Sequence, residues 1–241
     1  MNKTIQELMR RKSVRAFTQQ PITAQIKRIL FQAAMEAPTA GNQQLYTILD
    51  ITDQTLKERL AETCDHQPFI AGAQMVLVFC ADCQKWYDAY LAGGCEPRKP
   101  LAGDLMLAVT DAAIAAQNMV TAAESLGIGS CYIGDIMEQC ETHRELLELP
   151  DYVFPAVMLV LGYPTEQQKQ RAKPRRCDQK YIVHENKYHR MDESELREMF
   201  CRQSETGGFE SWIQAFCKRK YNSEFSREMS RSVEEYLKTF R

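Results

Sequence analysis

Between residues 104 and 126 the chain reads "DLMLAVTDAAIAAQNMVTAAESL", with no glycine or proline and with small apolar residues on nearly every side of a helix. The pattern predicts one long helix, closed by Gly127, a residue suited to the left-handed turn at a helix C-terminus. A helix that is alanine-rich all round needs close neighbours on several sides, and a partner subunit is one candidate for them. Asp111, Gln117 and Asn118 within the stretch argue against a membrane span and for a buried core helix.

The remaining composition fits such a core. With 241 residues, 44% hydrophobic and 26% charged, the chain is long enough for one large domain or two small ones, and it has a globular balance. A net charge of -2 excludes a surface built as a whole for nucleic acid, so any basic cluster is a local feature. The opening "MNKTIQELMRRK" lacks the apolar run of a signal peptide. Nine cysteines without an export signal predict reduced thiols and a cytoplasmic protein. The pair Cys80 and Cys83, "CADC", has no second such pair, and His66, His143, His184 and His189 show no ligand spacing. Cys80 is read as a small hydrophobe closing the strand "MVLVFCA", and no metal site is expected.

Segment 4–12 reads as a short helix. "TAQIKRILFQAAMEA" (23–37) reads as a stronger one, capped by Thr23 and ended by Pro38. After the loop "PTAGN" come the strand "LYTILDIT" and a helix opened by Asp53. The strand "AQMVLVFCA" (73–81) is buried by its unbroken apolar run, "GGCEPRKPLAG" (93–103) is a loop, and "PAVMLVLGY" (155–163) is a third strand. "DIMEQCETHRELLEL" is expected to be helical, "YIVHEN" a last short strand, and everything from Asp192 helical, the tail covering a surface already made. The fold class is α+β.

The charge concentrates in "RRKSVRAF" (10–17), where Arg10, Arg11, Lys12 and Arg15 surround Ser13. In extended chain, residues two apart share a side, so Arg11, Ser13 and Arg15 would present two guanidinium forks and a hydroxyl to one point. That set suits a phosphate monoester. A solvated basic patch after a helix is the other reading of the same residues. Lys173 and Arg175, in "KPR", repeat the spacing in what reads as a surface loop. "SLGIGSCYIGD" (125–135) reads as a glycine-lined loop without the dinucleotide-binding spacing. It is either plain turn chemistry or a backbone approach to a ring or an anion.

Taken in order, "RRKSVRAF", "APTAGNQQ", "LVFCAD", "DAAIAAQNMVTAAESLGIGSCYIGD", "PAVMLVLGYP" and "KPR" resemble the FMN-dependent nitroreductase and flavin reductase family over nearly the whole chain. "YIVHENKY" and the helical tail look like its larger, NADPH-preferring branch. The resemblance implies a nitroreductase-like sandwich, a central β-sheet flanked by helices, in an interlocked homodimer. Residues 1–190 would form the FMN-binding domain and 191–241 a helical extension of it. It implies that Arg11, Ser13 and Arg15 hold the FMN phosphate and ribityl end, with Lys12 near the flavin and Lys173 and Arg175 completing the phosphate site. Gln67 would meet the flavin's polar edge, and Tyr132, Ile133 and Gly134 would line its ring. Thr39 and Asn42 would reach the flavin of the other subunit. Asp135 departs from a glycine common in that branch, and its side chain is expected to cap the next helix.

The implied activity is hydride transfer from NADPH or NADH through FMN to a nitroaromatic, quinone or flavin acceptor, with no catalytic side chain assigned. Alternatives are a specialised flavin enzyme of the same fold, or a flavin-binding redox sensor with little turnover. Arg202 and "KRK" (218–220) either meet the 2'-phosphate of NADPH or form a solvated helix face. Neither the physiological acceptor nor the donor preference is legible in the sequence.

Overall fold

The computed structural model describes residues 1–201, 204 and 207–241. The chain forms two compact units, one of Met1–Lys173 with Glu228–Arg241 and one of Pro174–Arg227.

In the larger unit, α1 (Lys3–Arg10) and α2 (Ala24–Met35) precede β1 (Tyr46–Ile51), α3 (Gln54–Thr63), β2 (Met75–Asp82) and α4 (Gln84–Ala92). Then come α5 (Ala102–Ser125), β3 (Gly129–Ile133), α6 (Cys140–Leu146), β4 (Val153–Gly162) and α7 (Glu166–Gln170). The strands form one antiparallel sheet in the order β1-β2-β4-β3. β2 is buried throughout and alternates between two cores. Met75, Leu77, Phe79 and Ala81 pack with α2 and α5 on one face, while Val76, Val78 and Cys80 pack with Leu60 of α3 and Ile70 on the other.

The long helix is α5, and it lies where its alanines predict. Ala108, Ala112, Ala115, Ala116 and Ala123 are fully buried, and Gly127 follows its C-cap at φ +73°. By length and composition α5 would also span a membrane; one face of it is buried against α2 and the sheet. Thr23 and Asp53 cap α2 and α3 as expected, accepting from Ile26 N at 3.3 Å and Leu56 N at 2.7 Å.

Several local expectations fail for identifiable reasons. Residues 129–133 are the edge strand β3 and not a glycine loop; two glycines hid a run whose Ser130, Cys131 and Ile133 are buried. α4 was not anticipated: it buries no residue, with Trp86 and Tyr87 half-buried and Tyr90 and Leu91 exposed, so it carries no clear apolar face. The stretch after Gly134 is a 3-10 turn, Gly134–Met137, broken by Gln139 at φ +47° before α6 begins. Helix α6 takes its cap from afar: Glu228 Oε1 accepts from Gln139 N at 3.1 Å, and Ser232 Oγ from Cys140 N at 2.9 Å. Both belong to the chain's last long helix, and Tyr236 and Phe240 near its end are fully buried in the main core, so this tail completes the core and does more than cover it.

In the smaller unit "YIVHEN" is no strand. A 3-10 turn covers Gln179–Tyr181, and Ile182 and Val183 are exposed. α8 (Glu193–Phe200), with a capping box at Asp192, and α9 (Gly208–Phe216) bring Phe200, Trp212 and Phe216 into one aromatic stack. α10 (Glu224–Leu237) leads back into the larger unit.

Candidate functional site

Segment 11–17 is extended but joins no ladder beyond two isolated bridges, Ser13 with Ser130 and Phe17 with Pro164. Val14 N donates to Ser130 O at 2.9 Å, and Thr18 N to Tyr163 O at 2.8 Å. Glycine makes this approach possible. Gly129 and Gly162 are cross-strand partners on β3 and β4; a Cβ on Gly129 would stand 2.5 Å from Val14 Cγ2, and one on Gly162 2.7 Å from Phe17 Cδ1. Gly129 therefore admits the protein's own chain, a use that the sequence pattern left open.

Alternation along this segment sorts its charges. Arg11, Ser13 and Arg15 surround Cys131 of β3: burial pushes the Cys131 thiol up, and Arg15, Ser13 and Arg11 pull it back. The Arg11 guanidinium lies 5.7 Å from the Tyr132 ring centroid, and its Nη2 is 3.4 Å from Ser130 Oγ. Among the described residues Arg11 Nε is buried with no partner. Arg15 Cζ stands 6.0 Å from the Phe69 ring.

Arg10, Lys12 and Val14 instead line a cavity of about 550 Å³ shared with Lys169, Lys173 and Glu124. Its lysines are engaged. Lys12 Nζ donates to Lys169 O at 2.7 Å and to Arg171 O, and Lys173 Nζ donates to Met9 O at 2.6 Å. These carbonyls belong to the last turns of α7 and α1, where cations are favoured. Burial raises the Glu124 carboxyl against the pull of Arg11, Arg10 and Lys12.

Beside β3, Tyr132 OH donates to Gln117 Oε1 at 3.2 Å, and burial pushes its phenol up to about 12. Ile133 is buried and Gly134 exposed. Gln67 follows Asp65 and His66, both at positive φ, and its Nε2 donates to Cys64 O at 2.8 Å and to Asp135 Oδ2 at 3.1 Å. Asp135 thus caps no helix; its carboxylate meets the amide that the long-range fold brings to it.

Thr39 and Asn42 lie in a separate loop, shaped by Gly41, Asn42 and Gln44 at φ +57°, +55° and +50°. Thr39 Oγ1 accepts from Gln44 N at 3.2 Å. The buried Asp111 of α5 holds the loop by accepting from Ala40 N at 3.0 Å and Leu45 N at 3.2 Å. The sequence signal for this residue was a lone carboxylate in an alanine helix.

Arg175 belongs to the smaller unit and is exposed there. In that unit Arg219 and Lys220 of "KRK" lie over the Phe216 and Phe225 rings at 5.4 and 5.2 Å. Arg202 lies outside the described residues. Among the described residues no cluster of three His, Cys, Asp or Glu side chains is arranged for a metal. Burial pushes the thiols of both Cys80 and Cys83 up to about 12.

Residues 8–163 match the nitroreductase family. The chain is 37% identical over 196 residues to an oxygen-insensitive NADPH nitroreductase of Salmonella typhimurium, covering 81% of this chain and 79% of the relative. It is 34% identical over 190 residues to an FMN reductase (NADPH) of Bacillus subtilis, covering 78% and 75%. Among solved structures, the NADPH:FMN oxidoreductase of Vibrio harveyi complexed with NAD+ superposes with a TM-score of 0.83 at 26% identity, covering 98% of each chain. With two thirds of its length inside the family pattern and the fold matched end to end, this chain is a member of the nitroreductase family.

Proposed function

We propose that the chain is an NAD(P)H-dependent FMN oxidoreductase acting on nitroaromatic, quinone or flavin acceptors, with the FMN phosphate held by Arg11, Ser13 and Arg15. The observation that carries the phosphate assignment is Arg11 Nε, a buried donor without a partner among the described residues, on a segment whose Ser13 and Arg15 lie near the same Cys131. Buried donors are nearly always satisfied, so an orphan of this kind calls for an acceptor from outside the chain. A phosphate monoester offers several charged oxygens to two guanidinium forks and a hydroxyl.

When bound, FMN supplies the chemistry of accepting a hydride from NAD(P)H and passing reducing equivalents to an electron-poor acceptor. The protein's contribution is to bind and orient. Tyr132, Ile133 and Gly134 are assigned to one wall of the ring site and Gln67 to its polar edge. Their nearness to the Arg11 cluster along β3 supports this. By the resemblance alone, Lys12 is assigned to the neighbourhood of the flavin, and Lys173 and Arg175 to the phosphate end. Lys173 Nζ uses one of its three donors on Met9 O and Lys12 Nζ two of its three on Lys169 O and Arg171 O, so each keeps a donor for an anion.

Thr39 and Asn42 are assigned to the flavin of a second subunit in an interlocked homodimer. Exposed apolar side chains support that assembly: Ile5 and Leu8 of α1 are 40% and 46% exposed, and Met106 and Leu107 near the start of α5 are 63% and 51% exposed. The named activities of the relatives favour NADPH as donor. Nine free cysteines support a cytoplasmic setting.

The test is the absorption spectrum of the purified protein, followed by anaerobic mixing with NADPH. A flavin band that bleaches within seconds, and is restored by a nitroaromatic or quinone, is expected. A colourless protein that takes up no added FMN would overturn the assignment. A bound flavin that bleaches only over many minutes would instead identify a sensor. Light scattering is expected to give a dimer, and a stable 27.8 kDa monomer retaining flavin would exclude the shared site.

A further inference from the structure

We infer that Asp135 is a positioning residue that locks the Gln67 amide with its NH2 group inward and its carbonyl oxygen outward, so that this wall of the site accepts an N–H from the bound ring. The inference rests on the flavin reading given above, and the geometry behind it belongs to the protein alone. A Gln amide nitrogen has two N–H bonds, and both are used: one goes to Cys64 O at 2.8 Å and the other to Asp135 Oδ2 at 3.1 Å. Both partners can only accept. Turning the amide over would set Oε1 against a carbonyl and a carboxylate at hydrogen-bond distance, losing two bonds and adding two repulsions. Among the described residues nothing donates to Oε1, which is the end left for a ligand.

Asp135 is itself fixed. It sits in the 3-10 turn that follows Gly134, and its carbonyl accepts from Glu138 N at 3.0 Å. The turn therefore joins the proposed ring wall, Tyr132–Gly134, directly to the residue that orients Gln67. An amide presenting only its oxygen selects a ring edge with an N–H between carbonyls, and the oxidised flavin ring has one such group, its imide. The charge of Asp135 would thus act through an orientation, and a neutral acceptor of the same shape should serve.

Three preparations decide this: wild type, Asp135→Ala and Asp135→Asn. In apoprotein, side-chain amide NMR reads Gln67 without any flavin. Both amide protons are expected to exchange slowly in wild type and in Asp135→Asn, whose Oδ1 still accepts, and one to exchange fast in Asp135→Ala. In FMN titrations Asp135→Ala is expected to bind about fivefold to tenfold more weakly than wild type, and Asp135→Asn within about twofold of it. Wild type should also bind 3-methyl-FMN, which lacks the imide N–H, at least about tenfold more weakly than FMN, and Asp135→Ala should discriminate less.

Unchanged Gln67 exchange in Asp135→Ala would overturn the positioning role, as would Asp135→Asn behaving like Asp135→Ala in both measurements. Equal wild-type affinity for FMN and 3-methyl-FMN would overturn the outward acceptor. Failure of wild type to bind FMN at all would overturn the flavin reading instead, and the apoprotein exchange would still decide whether Asp135 orients Gln67.

Discussion

Two sides of one short segment carry nearly the same charge and differ in what that charge is doing. On one side Arg11 and Arg15 flank a hydroxyl, and a buried guanidinium nitrogen has no partner among the described residues. On the other, Lys12 and Lys173 donate to the carbonyls that end α7 and α1. Arg11 and Lys12, one from each set, are neighbours in sequence. The cavity of about 550 Å³ lies on the engaged side, so volume and donor availability point to different faces. The proposed phosphate site follows the unpartnered donor.

The double variant Arg11→Ala/Arg15→Ala puts the largest load on this contrast. A charge-assisted hydrogen bond contributes about 1.5–3 kcal/mol net, so losing one from each side chain should weaken FMN binding by at least about a hundredfold. The protein should purify colourless and folded, with part of its activity restored by FMN at high concentration. Riboflavin, which has no phosphate, should bind wild type far more weakly than FMN, and the double variant should scarcely distinguish the two. A variant that keeps its colour would reduce these arginines to a solvated basic face.

Gly129→Ala attacks the register that separates the two sides. Its Cβ would stand 2.5 Å from Val14 Cγ2, with backbone hydrogen bonds holding Val14 in place. Relief requires segment 11–17 to move off β3, at about 1–3 kcal/mol, the range for overpacking a filled site. Both melting temperature and FMN affinity should fall together. A loss of stability with unchanged affinity would mean that the phosphate site does not depend on this register.

The contrast also explains what the sequence left unread. The long helix, the capped helices and the buried strand were legible because periodicity and caps are local signals. β3 was not, because its glycines are demanded by Val14 and Phe17 from elsewhere in the chain. Arg11, Ser13 and Arg15 could be grouped by the two-residue period of extended chain, whereas the carbonyls that occupy Lys12 come from 157 and 159 residues away and leave no local trace. The same holds for Asp135, read as a cap until the fold brought Gln67 to it, and for Asp111, whose loop lies 66 to 71 residues earlier. "YIVHEN" has strand composition but pairs with no strand among the described residues, and composition cannot report that.

An orphaned polar atom need not imply a ligand, and Glu138 sharpens the rule. Among the described residues its Oε1 is buried without a partner, as Arg11 Nε is, yet its neighbours Asp135, Asp65 and Glu228 are acidic. Burial first, and then those carboxylates, push Glu138 up to about 7, so the proton takes the place of a ligand. Because the folded value lies above the unfolded one, its stabilising contribution is complete below the ordinary glutamate range and is lost as pH rises towards about 7. The loss is on the order of 2–3 kcal/mol. Thermal melts at pH 5.5 and pH 8 should show this fall in wild type, and Glu138→Gln should remove most of it while melting higher than wild type at pH 8. A wild type no less stable at pH 8 would mean that Glu138 ionises without cost.

The smallest effect is expected on the engaged side, and it tests the contrast most directly. Lys12→Met and Lys173→Met each keep an unbranched stem and remove a donor from the end of a helix. They should lower the melting temperature slightly, because the carbonyls of Lys169 and Met9 lose a charged partner that water can partly replace. FMN affinity should stay within about threefold of wild type, less than one charge-assisted bond is worth. Arg10→Ala, on the same side, should behave alike. The resemblance assigns Lys12 and Lys173 to the cofactor, so the opposite result has a definite meaning. A tenfold or greater loss of FMN from either variant, with riboflavin binding unchanged, would show that the lysine also donates to the phosphate. The two sides of the segment would then be a feature of the ligand-free chain alone.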